Sequence, residues 1–181
     1  STPACSPSPD AWVRRSNGTI DMSEVFKDRN RTKGYLNACY NYIKNPSVNV
    51  GSFTDDAQNS QDITAGSSYD IWYNSDITSS NFADHNWDGN PWGNYFEGVR
   101  KCNVFIANID GATAEMLDWE RAGWKAQALT LRAWYYLQLM KRYGQLPLIT
   151  SDLGTNHDYS SDKKATVSEI AGQILADCDA A

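Results

Sequence analysis

A chain of 181 residues with 41% hydrophobic and 12% aromatic content can bury one sizeable core, which excludes an intrinsically disordered chain. Its net charge of −6 argues against nucleic acid, whose phosphates demand a basic face. No run approaches the roughly 18–20 apolar residues that span a bilayer, and residues 1–10 lack the charged start and apolar centre of a secretory signal, so an exported form would have lost that segment before this numbering begins.

Residues 1–20, rich in Pro, Ser and Asn, read as an extended lead-in. Tyr35, Leu36, Cys39, Tyr40 and Ile43 then share one face of a first helix over 22–43, which Asn45-Pro46 ends. A long insertion, 47–90, follows. Pro91 suits the first turn of a second helix over 91–109, which carries Trp92, Tyr95, Phe96, Val99, Cys102, Ile106 and Ile109. In a third helix over 116–143, Leu129, Ala133, Tyr136, Leu137, Met140 and Tyr143 recur at the spacing of one buried face. Ala122, Ala126 and Ala133 allow a neighbouring backbone to approach, and Gly144 and Pro147 stop the helix. Arg132 lies inside this apolar run, so its guanidinium requires a fixed partner, a carboxylate or backbone carbonyls, within the scaffold. A fourth helix over 166–181 opens on the capping box Thr166-x-x-Glu169, with Val167, Ile170, Ile174 and Cys178 at helical spacing. It is still amphipathic at Ala181, which reads as part of a longer protein.

Four amphipathic helices with Ala-rich contacts predict an all-α fold of tetratricopeptide-like helical hairpins carrying long irregular loop insertions. Tyr40, Tyr95, Cys102, Ile106, Leu129, Tyr136 and Ile174 are expected to be buried together. Trp92, Trp119, Trp124 and Trp134 fall on or beside helix seams and are read as core.

The insertion is where a ligand is expected. Between Lys44 and Arg100 there is no Lys or Arg, while Asp55, Asp56, Asp62, Asp70, Asp76, Asp84 and Asp88 all fall there. An anionic ligand would be repelled. A neutral sugar suits it, because flat aromatic faces cover the C–H face of a pyranose while short Asp and Asn side chains take its hydroxyls. Trp87, flanked by the turn formers His85, Asn86, Asp88 and Gly89, is placed to project outward, with Trp72 and Tyr73 next. The candidate ligand set is therefore Trp87, Trp72, Tyr73, Asp88 and Asn86; Trp72 equally suits pinning the loop onto the helices.

Asp84-x-Asn86-x-Asp88-Gly89 has the oxygen spacing that begins a calcium loop, but Tyr95 stands at the twelfth position in place of Glu, so a solvated turn is the better reading and no metal or cofactor is assigned. Cys39, Cys102 and Cys178 read as buried free thiols on helix faces; an exported protein would permit a disulfide, and the sequence does not choose the pairing. His85 and His157 lie in polar loops without a nucleophile motif, and no carboxylate there reads as buried enough for general acid work. The chain reads as a binding protein and not as an enzyme.

Three blocks carry a resemblance. Ala128-Leu129-x-x-Arg132-Ala133-x-Tyr135-Tyr136-x-x-Leu139 with Arg142-Tyr143-Gly144-x-x-Pro147-Leu148 is one; Trp92-x-x-Tyr95-x-x-x-Val99-x-x-Cys102-Asn103 is the second; Ser168-Glu169-Ile170 with Ile174-x-x-Asp177 is the third. In this order and spacing they resemble the SusD/RagB family of cell-surface glycan-binding lipoproteins, with Cys178 where that family usually has Leu. The resemblance implies that residues 21–181 form the N-terminal helical-repeat part of a protein about three times longer. It also implies lipid anchoring on the outer face of the outer membrane, and capture of oligosaccharides for a SusC-like TonB-dependent transporter. Cys5 lacks the upstream Leu usual at a lipidated Cys, so it reads as a cysteine of the lead-in. The other readings are a helical-repeat scaffold whose groove binds peptide, and an α-helical glycoside hydrolase.

Overall fold

The computed structural model describes residues 22–43, 76, 78, 80, 91–154 and 162–181. These are mostly helical: α1 (Met22–Val25), α2 (Arg29–Tyr40), α3 (Pro91–Ile109), α4 (Asp118–Tyr143) and α5 (Val167–Ala180), with a two-residue strand pair, β1 (Leu146–Pro147) and β2 (Lys164–Ala165). The expected all-α hairpin architecture is what the chain adopts, and α4 is its centre, packed against α2, α3 and α5.

The single first helix expected over 22–43 is instead two pieces. Asp28 adopts an extended backbone and its carboxylate accepts the Arg31 N–H at 2.8 Å, so it caps a new helix in place of continuing the old one. Thr32 secures the corner, its hydroxyl donating to the carbonyls of Val25 and Asp28. This turn seats Phe26 in the core against Phe105, ring centroids 5.8 Å apart. The other expected boundaries hold within two residues. Pro91 is the first residue of α3, and Gly144, at φ 68°, ends α4. Thr166 and Glu169 form the capping box of α5.

The core joins Leu36 and Cys39 of α2, Tyr95, Val99, Cys102, Phe105 and Ile109 of α3, and Ala128, Leu131, Tyr135, Tyr136 and Leu139 of α4, with Leu146 and Ile170. Helices α3 and α4 approach closely at Gly98, where a Cβ would stand 2.7 Å from two carbons of the Tyr135 ring. Only glycine leaves that ring its place, from which its hydroxyl donates to the Cys39 carbonyl of α2.

Of the residues expected to be buried together, Tyr95, Cys102, Leu129 and Tyr136 are buried, whereas Ile106 and Ile174 are half-buried and Tyr40 is exposed at the end of α2, donating to Gln127 at 3.0 Å. Leu137 and Tyr143 lie off the packed stripe of α4 and are exposed. Trp119 is 71% exposed, because it stands in the first turn of α4 ahead of the packed stretch, whereas Trp124 is buried and Trp134 half-buried. Cys178 is exposed, since the inward stripe of α5 runs through Ile170 and Asp177.

The Arg132 expectation holds in detail. Its Nε and Nη2 donate to both carboxylate oxygens of Asp177 at 2.8 and 2.6 Å, tying α4 to α5. Its Nη1 donates to Asn103 Oδ1 at 2.8 Å and to the Thr150 carbonyl at 3.0 Å. Both members of the pair are buried, so the fork-on-fork geometry and the extra acceptors offset their desolvation.

Candidate binding cleft

After α4, β1 pairs antiparallel with β2, Leu146 opposite Ala165 and Pro147 opposite Lys164. The pairing leads residues 148–154 back toward α3. Three side chains fix this strip. The Tyr136 hydroxyl donates to the Ile149 carbonyl and accepts its N–H, at 2.8 and 2.7 Å. Asn103 Nδ2 donates to the carbonyls of Ile149 and Ser151 at 2.9 and 3.2 Å, and Arg132 holds Thr150 between them.

Between this strip and the first half of α3 lies a cleft of about 530 Å³, a size that suits a small ligand. Its α3 wall presents Trp92, Phe96 and Val99 with Glu97 and Arg100; the strip contributes Pro147, Ile149, Ser151 and Leu153, and Asn103 lines it as well. Trp92 is 40% exposed, not the buried seam residue expected from its spacing. Its ring stands 4.8 Å from Phe96 and meets Tyr143 nearly edge-on at 5.0 Å, forming an aromatic ledge. A smaller cleft of about 260 Å³ borders the same strip and is lined also by Asp162 and Lys163.

The charges of the larger cleft cancel in place. Arg100 donates through Nη2 and Nε to Glu97 at 2.6 and 2.9 Å. This hydrogen bonding holds the Glu97 carboxyl below the usual glutamate range and raises Arg100. Such a surface, aromatic and apolar with a self-neutralised pair and a few fixed polar groups, suits a neutral, partly apolar ligand. Among the described residues no group of three or more His, Cys, Asp or Glu is arranged to hold a metal ion, and no helix is long and apolar enough to cross a membrane.

The predicted ligand residues Trp87, Trp72, Tyr73, Asp88 and Asn86, and the calcium-like run at Asp84, lie outside the described residues. The cleft residues Trp92, Phe96 and Asn103 were legible only as helix positions. Their signal is the i, i+4 pair Trp92 and Phe96, offset from the buried Tyr95 and Val99 stripe and directly following the insertion.

A family model described as starch-binding, associating with outer membrane, matches residues 15–181. No curated protein matches the chain. Among solved structures, a SusD-like protein from Bacteroides fragilis is 24% identical with a TM-score of 0.69, over 90% of this chain and 30% of its own. A laminarin-binding SusD-like protein is 21% identical with a TM-score of 0.61, over 85% of this chain and 33% of its own. Surface glycan-binding protein A from Bacteroides uniformis is 17% identical with a TM-score of 0.57, over 82% and 33%. The chain thus spans about a third of the length of these proteins. With the match covering nearly all of it and the helical hairpins superposing on those of SusD-like structures, the chain belongs to the SusD-like family.

Proposed function

We propose that this chain is part of a surface glycan-binding protein that captures a neutral oligosaccharide for import through a SusC-like TonB-dependent transporter, anchored by lipid to the outer face of the outer membrane. The observation that carries the ligand class is the cleft itself. An aromatic ledge stands beside a self-neutralised Glu97–Arg100 pair, on the scaffold of a family whose model describes starch binding. The sequence adds a second support. The insertion that ends at Pro91 has no Lys or Arg and places Trp87 and Asp88 four and three residues before that proline. Trp87, Trp72, Tyr73, Asp88 and Asn86 remain the proposed sugar contacts. The protein binds and does not hydrolyse.

Isothermal titration with neutral α- and β-glucan oligosaccharides tests this. Trp87→Ala is expected to weaken binding by about 1–3 kcal/mol, roughly 5- to 150-fold in Kd, with the helical signal unchanged. Affinity should barely change with salt, because no ion pair is formed with the ligand. Unchanged affinity in the Trp87, Trp72 and Tyr73 alanine variants would move the site elsewhere. Peptide binding without sugar binding would favour the scaffold reading, and reducing-sugar release a hydrolase. Co-purification with a TonB-dependent barrel tests the partner.

A further inference from the structure

Trp92 on α3 and Leu153 on the strip line the larger cleft from its two walls, and both are exposed large apolar residues. Trp92 already packs against Phe96 and Tyr143, with ring centroids 4.8 and 5.0 Å away, and its remaining exposure leaves surface for a further ring. The polar groups of the cleft, by contrast, are largely spent on the protein itself. Asn103 Nδ2 donates to the Ile149 and Ser151 carbonyls while its Oδ1 accepts from Arg132. The Ile149 carbonyl accepts a second bond from the Tyr136 hydroxyl, and the Ile149 N–H donates to that same oxygen. Both carboxylate oxygens of Glu97 accept from Arg100. A pyranose ring brings several hydroxyls, each costly to bury without a partner, and this cleft keeps few groups to meet them. An aryl group brings none.

We propose that the cleft binds a neutral aryl substituent carried by the glycan, stacked on Trp92 and Phe96 and covered from the strip by Ile149 and Leu153, while the sugar ring stays outside. The size fits: an apolar cavity of about 150 Å³ holds a benzene, and this cleft, at about 530 Å³, has room for a substituted ring and the bond that joins it to a sugar. Neutrality follows from the Glu97–Arg100 pair. Its charges already cancel, so an ionised ring would lose its water without a net attraction in return. The inference rests on the proposed function for the glycan that carries the aryl group, whereas the aryl site itself stands on the cleft.

The test is isothermal titration of the chain with methyl, phenyl and 4-carboxyphenyl β-D-glucoside, beside the glucan oligosaccharides. The phenyl glucoside is expected to bind about tenfold or more tighter than the methyl glucoside, and the carboxyphenyl glucoside more weakly than the phenyl. Trp92→Ala and Leu153→Ala, both at exposed positions and each checked by circular dichroism, should remove most of the phenyl preference. Trp87→Ala should weaken the glucosides alike and leave that preference in place. Equal affinity for the phenyl and methyl glucosides, or no binding of either, would overturn the proposal, as would a phenyl preference that survives in both Trp92→Ala and Leu153→Ala. So would tighter binding of the carboxyphenyl glucoside, which would show Arg100 open to an anion. The two readings fail separately: phenyl glucoside bound with no glucan oligosaccharide bound refutes the glycan reading and leaves the aryl site standing, whereas glucan binding without a phenyl preference refutes the aryl site alone.

Discussion

Removing Arg132 tests how this scaffold holds α5 and the 149–151 strip. Arg132→Met keeps much of the aliphatic stem and deletes four hydrogen bonds, two to Asp177 and one each to Asn103 and Thr150. The Asp177 side chain, 3% exposed, is left with Gln173 Nε2 at 2.8 Å as its remaining side-chain donor. Stranding a buried carboxylate in this way costs about 3–5 kcal/mol. For a domain of this size that is a fall of about 6–20 °C in Tm, read by thermal and urea denaturation followed by circular dichroism. The double variant Arg132→Met/Asp177→Leu removes both charges and should lose less than Arg132→Met alone, because the desolvated carboxylate goes with its partner. A coupling of about 2 kcal/mol or more is expected. Additive costs, or an Arg132→Met loss under about 1 kcal/mol, would refute a paired buried guanidinium as the tie between α4 and α5. Arg132 does not line the cleft, so the folded variant should keep its oligosaccharide affinity. Retained stability with lost binding would place Arg132 in the ligand site.

Two glycines should respond in opposite directions. Gly98→Ala forces a methyl group into the Tyr135 ring and should cost about 1–3 kcal/mol, whereas Gly34→Ala, mid-helix with open space around it, should gain about 0.5–1 kcal/mol; equal Tm values for the two would contradict the close α3–α4 approach. Glu97, Glu120 and Glu169 have folded pKa values lowered chiefly by hydrogen bonds from Arg100, Arg29 and the Thr166 N–H respectively. The folded state thus binds fewer protons than the unfolded chain, and their contribution, present above the ordinary glutamate range, is lost as pH falls through and below it. A Tm unchanged on acidification through that range would contradict this. At the alkaline end, burial raises the hydroxyls of Tyr35, Tyr135 and Tyr136 above the ordinary tyrosine value. The stability they contribute is complete below that value and is lost as pH rises through the folded one, so tyrosinate absorbance should show a class of tyrosines that ionises only with loss of helical signal.

The helices were legible because their signals are local. A 3–4 repeat, a first-turn proline, a capping box and a stop glycine each act within a few residues, and each stands where expected. Arg132's need for a partner was also legible, since desolvation of a guanidinium is a property of the residue and its neighbours. Its partner Asp177, 45 residues away, could not be named, because that pairing depends on how α5 crosses α4. The misread faces share one cause. Trp92, Trp119, Leu137, Tyr143 and Cys178 are apolar residues at helical spacing, yet periodicity defines a stripe without fixing which edge of it a neighbour covers. The break at Asp28 was missed for a related reason: an Asp inside a helical pattern is also a good N-cap, and the seating of Phe26 and Thr32 decides between the two.

Binding and stability meet at Asn103. Its amide oxygen accepts from Arg132, its amide nitrogen donates to the Ile149 and Ser151 carbonyls, and the residue lines the cleft. Asn103 and Arg132 together turn three carbonyls of the strip, those of residues 149–151, toward the scaffold. The Ile149 carbonyl, which accepts from both Asn103 and Tyr136, is fully engaged, while those of Thr150 and Ser151 accept one bond each. What the strip and α3 then offer is mainly apolar surface and rings, held in place before any ligand arrives. A sugar's affinity for such a wall comes from desolvating its C–H face, and a wall fixed in advance avoids the entropy of ordering it on binding. The strip is held directly by Asn103 and Tyr136, while the Arg132–Asp177 pair behind them ties α5 to α4, so the cleft wall keeps its direct supports even where that pair is removed.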